Sequence, residues 1–324
     1  KRTMIIQEIR SYLNKKKFLE VETPLLQPIY GGGKAKPFKS HLNDLDMDVF
    51  MSISPELYLK RLVVGGFERV YSICKNFRNE SVDRSHNPEF TMLEFYSAYW
   101  DVNDVMKTTE KMLESIAIKV NGTTKIDYLG QEIDFKAPWP RKRMVDLVKE
   151  FTQIDVEHLS AEKIKFAIQE KKLKLEKDPN SMSYGLLIQE LFETFCEEKL
   201  IQPTFVIEHP QESTPLCKNL RKGKNKEKFI ERVEPYCLGM EIGNGYSELN
   251  NPVKQKLLLE EQARELRAGN EEANPMDLDF IEAIETGLPP TGGMGIGIDR
   301  IVMILTKSYS IRDIILFPFM KKMD

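Results

Sequence analysis

The chain contains 324 residues, of which 41% are hydrophobic and 30% are charged, and its formal net charge is −3. This composition is typical of a soluble folded protein with one large or two modest domains, and it excludes an intrinsically disordered chain. The small negative charge excludes a protein that binds nucleic acid over its whole surface, and it leaves room for a local basic patch.

Cysteine, histidine and hydropathy patterns predict a cytoplasmic protein that does not enter a membrane. The four cysteines and four histidines are scattered, and no Cys-x-x-Cys pair occurs. This spacing favours reduced thiols over disulfides and gives no indication of a zinc site. We find no signal peptide and no apolar run that approaches the length of a membrane span.

The N-terminal part predicts a helix, a strand, a glycine loop and a second helix. The first helix is amphipathic and covers 2–16, and a strand over 18–25 ends near a Thr-Pro pair. Three glycines at 31–33 are typical of a turn, or of a loop whose backbone approaches a ligand. The sequence Ser-Pro-Glu at 54–56 predicts a helix start, with serine as the N-cap and the glutamate favourable at the positive end of the helix dipole.

The most informative stretch runs from Phe77 to Tyr96, FRNESVDRSHNPEFTMLEFY. It predicts a polar loop between two strands, the first over 70–74 and the second over 90–98. Glu94 shares a strand face with aromatic residues, and a buried carboxylate needs solvent, a cation or a metal as its partner. The stretch suits phosphate binding, Mg²⁺ binding and base stacking, and it suits a polar hairpin with a surface ion pair equally well.

The middle of the chain predicts helical structure without chemistry. A helix from Asp101 to about residue 117 is followed by a short hairpin around Gly130 and a strand over 204–207. Residues 138–200 between the hairpin and that strand predict a helical insertion, with helices over 142–151, 160–172 and 183–198. The segment 218–228 carries six basic residues and one acid. We interpret it as a solvated loop rather than as a phosphate contact.

A second informative stretch covers 234–250. Glu234 and Glu241 could hold Mg²⁺ beside a triphosphate. Asn244, Tyr246 and Glu248 share one strand face, and glycines alternate with them, so the strand can lie close to a ligand. Four polar side chains with two strand glycines are difficult to explain structurally, and the pattern therefore indicates a functional site.

The C-terminal part predicts helices over 252–268 and 276–286, and then a glycine-rich strand that leads into a helix over 301–306. Glycines in a strand that feeds a helix suit close approach to a nucleotide. A dinucleotide fingerprint is excluded, because no βαβ unit follows and the segment ends in Asp-Arg at 299–300.

These stretches resemble the three motifs of class II aminoacyl-tRNA synthetases. The segment from Phe77 to Tyr96 resembles motif 2 in its lysyl-tRNA synthetase version, 18–25 resembles motif 1, and 288–300 resembles motif 3. The resemblance implies an α+β fold with an antiparallel sheet of about six strands flanked by helices. It implies one catalytic domain over 1–324, with 138–200 inserted, and a homodimer formed through motif 1.

The resemblance also implies ATP-dependent activation of L-lysine to lysyl-adenylate and transfer of the lysyl group to tRNA(Lys), with Mg²⁺ as cofactor. The catalytic residues would be Arg78, which bridges the amino-acid carboxylate and the α-phosphate, and Arg300, which holds the γ-phosphate. The family's other ATP-binding positions correspond to Glu80, His86, Asn87, Phe90 and Glu241. Its lysine-binding positions correspond to Gly32, Glu56, Arg78, Tyr96, Asn244, Tyr246 and Glu248, and its metal-binding positions to Glu234 and Glu241.

Two departures from the family pattern leave alternatives open. The chain starts at the catalytic domain, and we expect no N-terminal anticodon-binding domain. Ser85 precedes His86, with Arg84 one position earlier, and this order resembles the paralogue that attaches a lysyl group to elongation factor P. Gly295 and the segments GGGKAKPF and SELNNP resemble the synthetase instead, which we therefore prefer. A non-catalytic, synthetase-like regulator ranks last, because it predicts loss of arginines and carboxylates that are all present.

Overall fold

A computed structural model describes residues 1–223 and 225–320. Its α-helices over these residues are α1 (Arg2–Lys15), α2 (Glu56–Val64), α3 (Val102–Asn121), α4 (Met144–Thr152), α5 (Ala161–Glu170), α6 (Tyr184–Phe195), α7 (Pro252–Arg267), α8 (Leu278–Glu285) and α9 (Ile298–Thr306). Its strands are β1 (Leu19–Glu20), β2 (Leu26–Gln27), β3 (Lys39–Leu42), β4 (Met47–Met51), β5 (Arg69–Phe77), β6 (Glu89–Ala98), β7 (Lys125–Tyr128), β8 (Gln131–Asp134), β9 (Arg141–Arg143), β10 (Thr204–Pro210), β11 (Phe229–Cys237), β12 (Met240–Glu241), β13 (Gly243–Ser247) and β14 (Thr291–Gly297).

The large sheet has the strand order β1-β5-β6-β14-β13-β11-β10-β9, and β12 pairs with β11. The six central strands, β5, β6, β14, β13, β11 and β10, pair antiparallel to one another. At the two edges β1 pairs in parallel with β5, and β9 pairs in parallel with β10. The predicted α+β fold with an antiparallel sheet of about six strands is therefore confirmed. The added pieces are short strands of two or three residues, which are too short to predict from periodicity.

One face of this sheet is covered by helices α1, α3 and α9. Their apolar stripes pack with inward side chains of β6 and β14 in one core, which includes Ile9, Leu93, Phe95, Ile116 and Ile304. Removing this apolar surface from water is the main force that holds the layers together. The opposite face of β6 carries Glu94 and Tyr96, because successive side chains of a strand point to opposite faces.

Local signals account for where helices begin and end. The Asp101 side chain accepts a hydrogen bond from Asn103 N and forms a capping box with Asp104, and Gly122 ends α3 with φ +76°. The helix therefore runs four residues past the predicted end at 117. Helix α2 begins at Glu56 rather than at Pro55, although Ser54 Oγ still accepts from Glu56 N at 3.1 Å.

Helices α4, α5 and α6 form the helical region between β9 and β10. Ser160 and Ser183 cap α5 and α6 through their side-chain oxygens, which accept from Lys163 N and Leu186 N. The first helix begins at Met144 rather than at 142, because residues 141–143 pair with β10 as strand β9. The apolar core of this helical region also includes Val206, Phe229 and Tyr236 of the large sheet. The assignment of 138–200 as an insertion within a single domain stays a prediction.

Two further features differ from the sequence prediction or add to it. The predicted strand over 18–25 pairs only at Leu19–Glu20, and a separate sheet of order β2-β4-β3 follows it. No helix within 1–223 and 225–320 is long and apolar enough to cross a membrane.

Candidate active site

A cavity of about 540 Å³ opens on the polar face of the large sheet. Segments far apart in the chain line it: the glycine loop, the start of α2, β5 and β6, α6, β11 to β13, β14 and the start of α9. Its lining includes thirteen of the predicted site residues: Gly32, Glu56, Arg78, Glu80, His86, Asn87, Phe90, Tyr96, Glu234, Glu241, Asn244, Tyr246 and Arg300. The remaining one, Glu248, is fully buried behind the wall.

Glycines of β14 and the glycine loop make room for the polar side chains of the cavity. Gly293 pairs with Tyr96 on one side and with Tyr246 on the other. A Cβ atom at Gly293 would collide with the Tyr96 ring and lie 2.5 Å from Glu248 Oε1. Gly32 has φ +83°, and a Cβ atom there would lie 2.9 Å from Ser54 Oγ. Both positions therefore require glycine.

One end of the cavity concentrates carboxylates around a single buried ammonium group. Lys60 Nζ lies 2.6 Å from Glu56 Oε1 and 2.5 Å from Glu248 Oε2, and its side chain is 1% exposed. Glu56 and Glu248 are thus already paired with Lys60 within the protein. Glu56 begins α2, as predicted, and also lines the cavity.

A third carboxylate, Glu94, lies beside this pair and faces the cavity. Ser54 Oγ donates to its Oε1 at 2.7 Å, and the Tyr96 hydroxyl donates to its Oε2 at 2.9 Å. Burial, followed by the charge of Glu56, raises the pKa of Glu94 to about 8. Burial also raises the pKa of Glu248, and Lys60 offsets this only in part. With three carboxylates and one ammonium group, this end favours further cations.

Two arginines lie deeper along the same cavity. The guanidinium carbon of Arg78 is 5.1 Å from the centre of the Phe90 ring, and its Nε has no hydrogen-bond partner although it is buried. The orphaned donor suits an anionic ligand such as a carboxylate or a phosphate. Arg300 donates to the backbone oxygen of Glu241, and its other nitrogen lies 3.0 Å from His86 Nε2.

Two contacts fix the orientation of Arg300 and His86. His86 Nδ1 lies 2.8 Å from Asp83 Oδ2. We therefore assign the Nδ1–H tautomer, which leaves Nε2 to accept from Arg300. Asp299 is buried, and its carboxylate accepts from Arg2 at 2.5 Å and from Thr91 N at 2.7 Å. This pins the start of α9 to β6 and so sets the direction of Arg300.

A chain of polar contacts connects Glu234 to Tyr246 of β13. Arg232 pairs with Glu234, and the Tyr236 hydroxyl donates to Glu234 Oε2 at 2.9 Å. Arg232 also donates to Asn244 Oδ1 at 3.0 Å, and the Asn244 amide donates to the Tyr246 hydroxyl at 2.8 Å. The predicted residues of β11 and β13 therefore form one network through Arg232.

With this geometry in place, comparison with known proteins gives the family. The family model described as tRNA synthetases class II (D, K and N) matches residues 1–321. The chain belongs to the class II tRNA synthetases. It is 53% identical over 322 residues to a protein named lysine–tRNA ligase from Clostridium novyi and 52% identical over 323 residues to one from Clostridium kluyveri. These matches cover 99% of the chain and 62% and 64% of the relatives, so the chain spans about three fifths of their length.

In this class II synthetase the donor chemistry for Mg²⁺ fits Glu241 better than Glu234. The Glu241 side chain is 38% exposed toward the cavity, and its Oε2 lies 3.9 Å from Arg300, beyond hydrogen-bond distance. Glu234 is 9% exposed and engaged by Arg232 and Tyr236. Over the described residues no three His, Cys, Asp or Glu side chains lie close enough to hold a metal. A bound nucleotide would have to complete the coordination of the ion.

The structure adds residues of the synthetase site that the sequence analysis did not assign. In the sequence, Lys60 fits a helix and Arg232 fits a strand, and neither position indicates a chemical role. Glu94 stood out as a carboxylate on an aromatic face, but it received no role. Glu197 lies at the far end of the helical region, and burial followed by the charge of Glu241 raises its pKa to about 7.

In the basic segment 218–228 of this synthetase, Arg221 and Lys228 have partners elsewhere in the chain. Arg221 pairs with Asp101 at 2.7 Å and with Glu231 at 2.6 Å, and Lys228 lies 4.6 Å from the centre of the Tyr184 ring. Lys224 lies outside the described residues. These contacts agree with the interpretation of the segment as a solvated loop.

Proposed function

We propose that the chain activates L-lysine with ATP, forming lysyl-adenylate and pyrophosphate, and transfers the lysyl group to tRNA(Lys). The observation that carries this proposal is the set of three buried carboxylates beside one ammonium group, at a cavity that Arg78 and Arg300 also line. Membership of the class II tRNA synthetases and the names of the relatives support it.

The amino-acid end suits a doubly protonated lysine. We place the ε-ammonium against Glu94 and Glu248, where the Tyr96 hydroxyl marks the pocket wall. The α-ammonium faces Glu56 and the backbone of Gly32, which lie together at the glycine loop. Charge-assisted hydrogen bonds in a dry pocket are strong, and aspartate or asparagine would leave a carboxylate repelled or unpaired there. Asn244 and Tyr246 complete the wall on β13.

The nucleotide end suits ATP, and the reaction needs positioning more than acid–base catalysis. Arg78 bridges the lysine carboxylate and the α-phosphate, so that a carboxylate oxygen attacks phosphorus in line with the departing pyrophosphate. Arg300 holds the γ-phosphate, with His86 fixing its orientation. Phe90 stacks with the adenine, and Glu80 and Asn87 line the same region.

Mg²⁺ is part of the proposal through Glu241, with Glu234 as a second holder once Arg232 turns to the nucleotide. When bound, the ion would neutralise charge on the phosphate oxygens. Both carboxylates line the cavity from β11 and β12, next to Arg232 and Arg300.

A homodimer and a cytoplasmic location belong to the same proposal. The segment that resembles motif 1 exposes Leu19 and Leu25 by 54% and 39% of their surface, and Leu26 directly after it is 53% exposed. Exposed apolar patches commonly mark interfaces. All four cysteines are free, as expected for a reducing compartment. We do not propose a protein acceptor or a non-catalytic role, because no observation favours either over the tRNA ligase.

The decisive experiment is ATP–pyrophosphate exchange with the chain, Mg²⁺ and one amino acid at a time, followed by transfer. We expect exchange with lysine and background exchange with asparagine and aspartate. Labelled lysine offered with tRNA(Lys) and, separately, with elongation factor P is expected to label the tRNA alone. Absence of lysine-dependent exchange, or label on the protein acceptor alone, would overturn the proposal.

A further inference from the structure

Lys60 is a buried cation for which the activation chemistry gives no direct use. Its ammonium lies between Glu56, one helical turn earlier on α2, and Glu248, which follows β13. It does not line the cavity, and its ammonium is held by these two carboxylates. An ion pair with a cation this deeply buried is expensive in desolvation, and a gain in organisation of the site must offset that cost.

The groups that face Lys60 come from every element packed around it. Its own helix supplies Glu56, and β6 supplies Glu94 and Tyr96, whose hydroxyl stays bonded to Glu94. The β13 side supplies Glu248 and Tyr246, and the buried Cys217 thiol lies opposite Glu248 in an isolated bridge. The positive charge of Arg232, which pairs with Glu234, also acts on the Tyr246 hydroxyl and the Cys217 thiol.

Charge counting explains what this arrangement selects. Three carboxylates and the Lys60 ammonium leave two negative charges unmatched when all groups are ionised. A lysine molecule brings two ammonium groups to this end, while its carboxylate pairs with Arg78. The count then closes, with three ammonium groups against three carboxylates. An amino acid with a neutral side chain brings one ammonium group and leaves a buried carboxylate without a cation, which is costly.

We propose that Lys60 is a positioning and specificity-determining residue, whose ammonium holds Glu56 and Glu248 as separate ligands for the two ammonium groups of lysine. The inference rests on the proposed activation of lysine and deepens it. It predicts that the effect of Lys60 appears in lysine binding and in its dependence on pH, and leaves ATP binding unaffected.

The physical reason is the response of two buried carboxylates to the loss of the ammonium group that contacts both of them. Burial already raises the pKa of Glu248 in the presence of Lys60. Without Lys60, proton uptake by Glu248 becomes the energetically easier way to keep the pocket neutral. Lysine would then have to displace an additional proton in order to bind, and its apparent affinity would fall at neutral pH and recover as pH rises.

The experiment compares Lys60→Met, Lys60→Arg and the unmodified chain in ATP–pyrophosphate exchange across about pH 6 to about pH 9. For Lys60→Met we expect KM for lysine to rise about 10- to 100-fold at neutral pH and to fall with pH more steeply than in the unmodified chain. KM for ATP should stay within about twofold. Lys60→Arg, which keeps the charge, should recover much of the lysine affinity. Lys125→Met, at an exposed ion pair with Glu132, is the matched control.

Several outcomes separate this role from a merely structural one. An unchanged KM for lysine in Lys60→Met, or an equal rise of KM for lysine and ATP without a change in pH dependence, would overturn the inference. If the unmodified chain shows no lysine-dependent exchange, the proposed function itself fails. Exchange in the unmodified chain with no effect of Lys60→Met refutes only the role of Lys60.

A measurement on the unmodified chain keeps the inference testable if Lys60→Met does not fold. With ¹⁵N-labelled lysine side chains, the Lys60 Nζ signal should remain that of a charged, slowly exchanging ammonium group above the ordinary lysine pKa, and it should shift when free lysine is added. A signal that titrates like an exposed lysine, or one that ignores added lysine, contradicts the inference.

Discussion

Gly293 and Tyr96 lie directly opposite each other on β14 and β6, and the Tyr96 ring occupies the space that a Cβ atom of residue 293 would need. The same missing Cβ leaves room for Glu248 Oε1. The absence of a side chain at Gly293 therefore leaves room for the Tyr96 ring and the Glu248 carboxylate. These two groups belong to the end of the cavity where we place lysine, which we call the lysine end.

We accordingly expect Gly293→Ala to disrupt the lysine end while the sheet survives. Displacing Tyr96 breaks its hydrogen bond to Glu94, and KM for lysine should rise by at least about tenfold, with a smaller change in KM for ATP. Gly295→Ala is the comparison, since a Cβ atom there meets the flexible end of Met92 at 3.1 Å. Equal effects of both substitutions in exchange assays would contradict this account.

Glu94 gives lysine binding a specific pH dependence. Its pKa of about 8 means that the free protein carries a proton there at neutral pH. An incoming ε-ammonium replaces that proton, so KM for lysine should fall as pH rises toward about 8. Calorimetry of lysine binding in two buffers of different ionisation enthalpy should report proton release near pH 7. Glu94→Gln should bind lysine more weakly and release fewer protons.

The same pKa shift affects stability with a defined sign. The folded protein holds the Glu94 proton at pH values where the unfolded chain, with a carboxyl pKa near 4.3, has lost it. The free energy of unfolding should therefore decrease as pH rises from about 5 through about 8. Melting curves of Glu94→Gln should show a flatter dependence across this interval, and an unchanged slope would argue against a protonated Glu94.

Glu248→Gln should damage lysine activation far more than ATP binding. The amide cannot balance the charge of Lys60 or of an ε-ammonium, and the loss of a partner for a buried charge is expected to cost about 3 kcal/mol or more. Exchange assays should show a large loss of kcat/KM for lysine, with KM for ATP within about threefold. Normal lysine-dependent exchange by this variant would show that the pocket is assigned incorrectly.

Asp299→Asn should weaken the nucleotide end from behind. Asp299 directly precedes Arg300 in the sequence. Its carboxylate joins Arg2 of α1 to the backbone of Thr91 on β6. We expect KM for ATP to rise several-fold and stability to fall by about 1–3 kcal/mol, because a buried ionic hydrogen bond is lost. Arg2→Ala, which removes only the cation, should reproduce part of the effect. A change confined to KM for lysine would contradict the assignment.

The hydrophobic periodicity of the sequence, together with its capping residues, glycines and prolines, predicted much of the scaffold. The strands around the polar loop, the capped starts of α3, α5 and α6, and the glycine-rich strand before α9 all follow from local signals. The two-residue strand at Leu19–Glu20, by contrast, depends on a partner in β5. The strand at 141–143, which replaced the first turn of a predicted helix, depends in the same way on a partner in β10. Such short elements gain their hydrogen bonds from a neighbouring strand and carry no period of their own.

The sequence by itself determined the residue types of the site, because the chemistry of phosphate and ammonium recognition requires arginines, carboxylates and glycines in recognisable local patterns. Only the tertiary structure decided which of these groups are free and which are paired. Lys60 meets Glu248 and Arg2 meets Asp299 through contacts between distant parts of the chain. The pKa of Glu94 depends in the same way on burial, which no local pattern records. Electrostatic interactions act through space and depend on desolvation, so the charge balance of this pocket exists only in the folded protein.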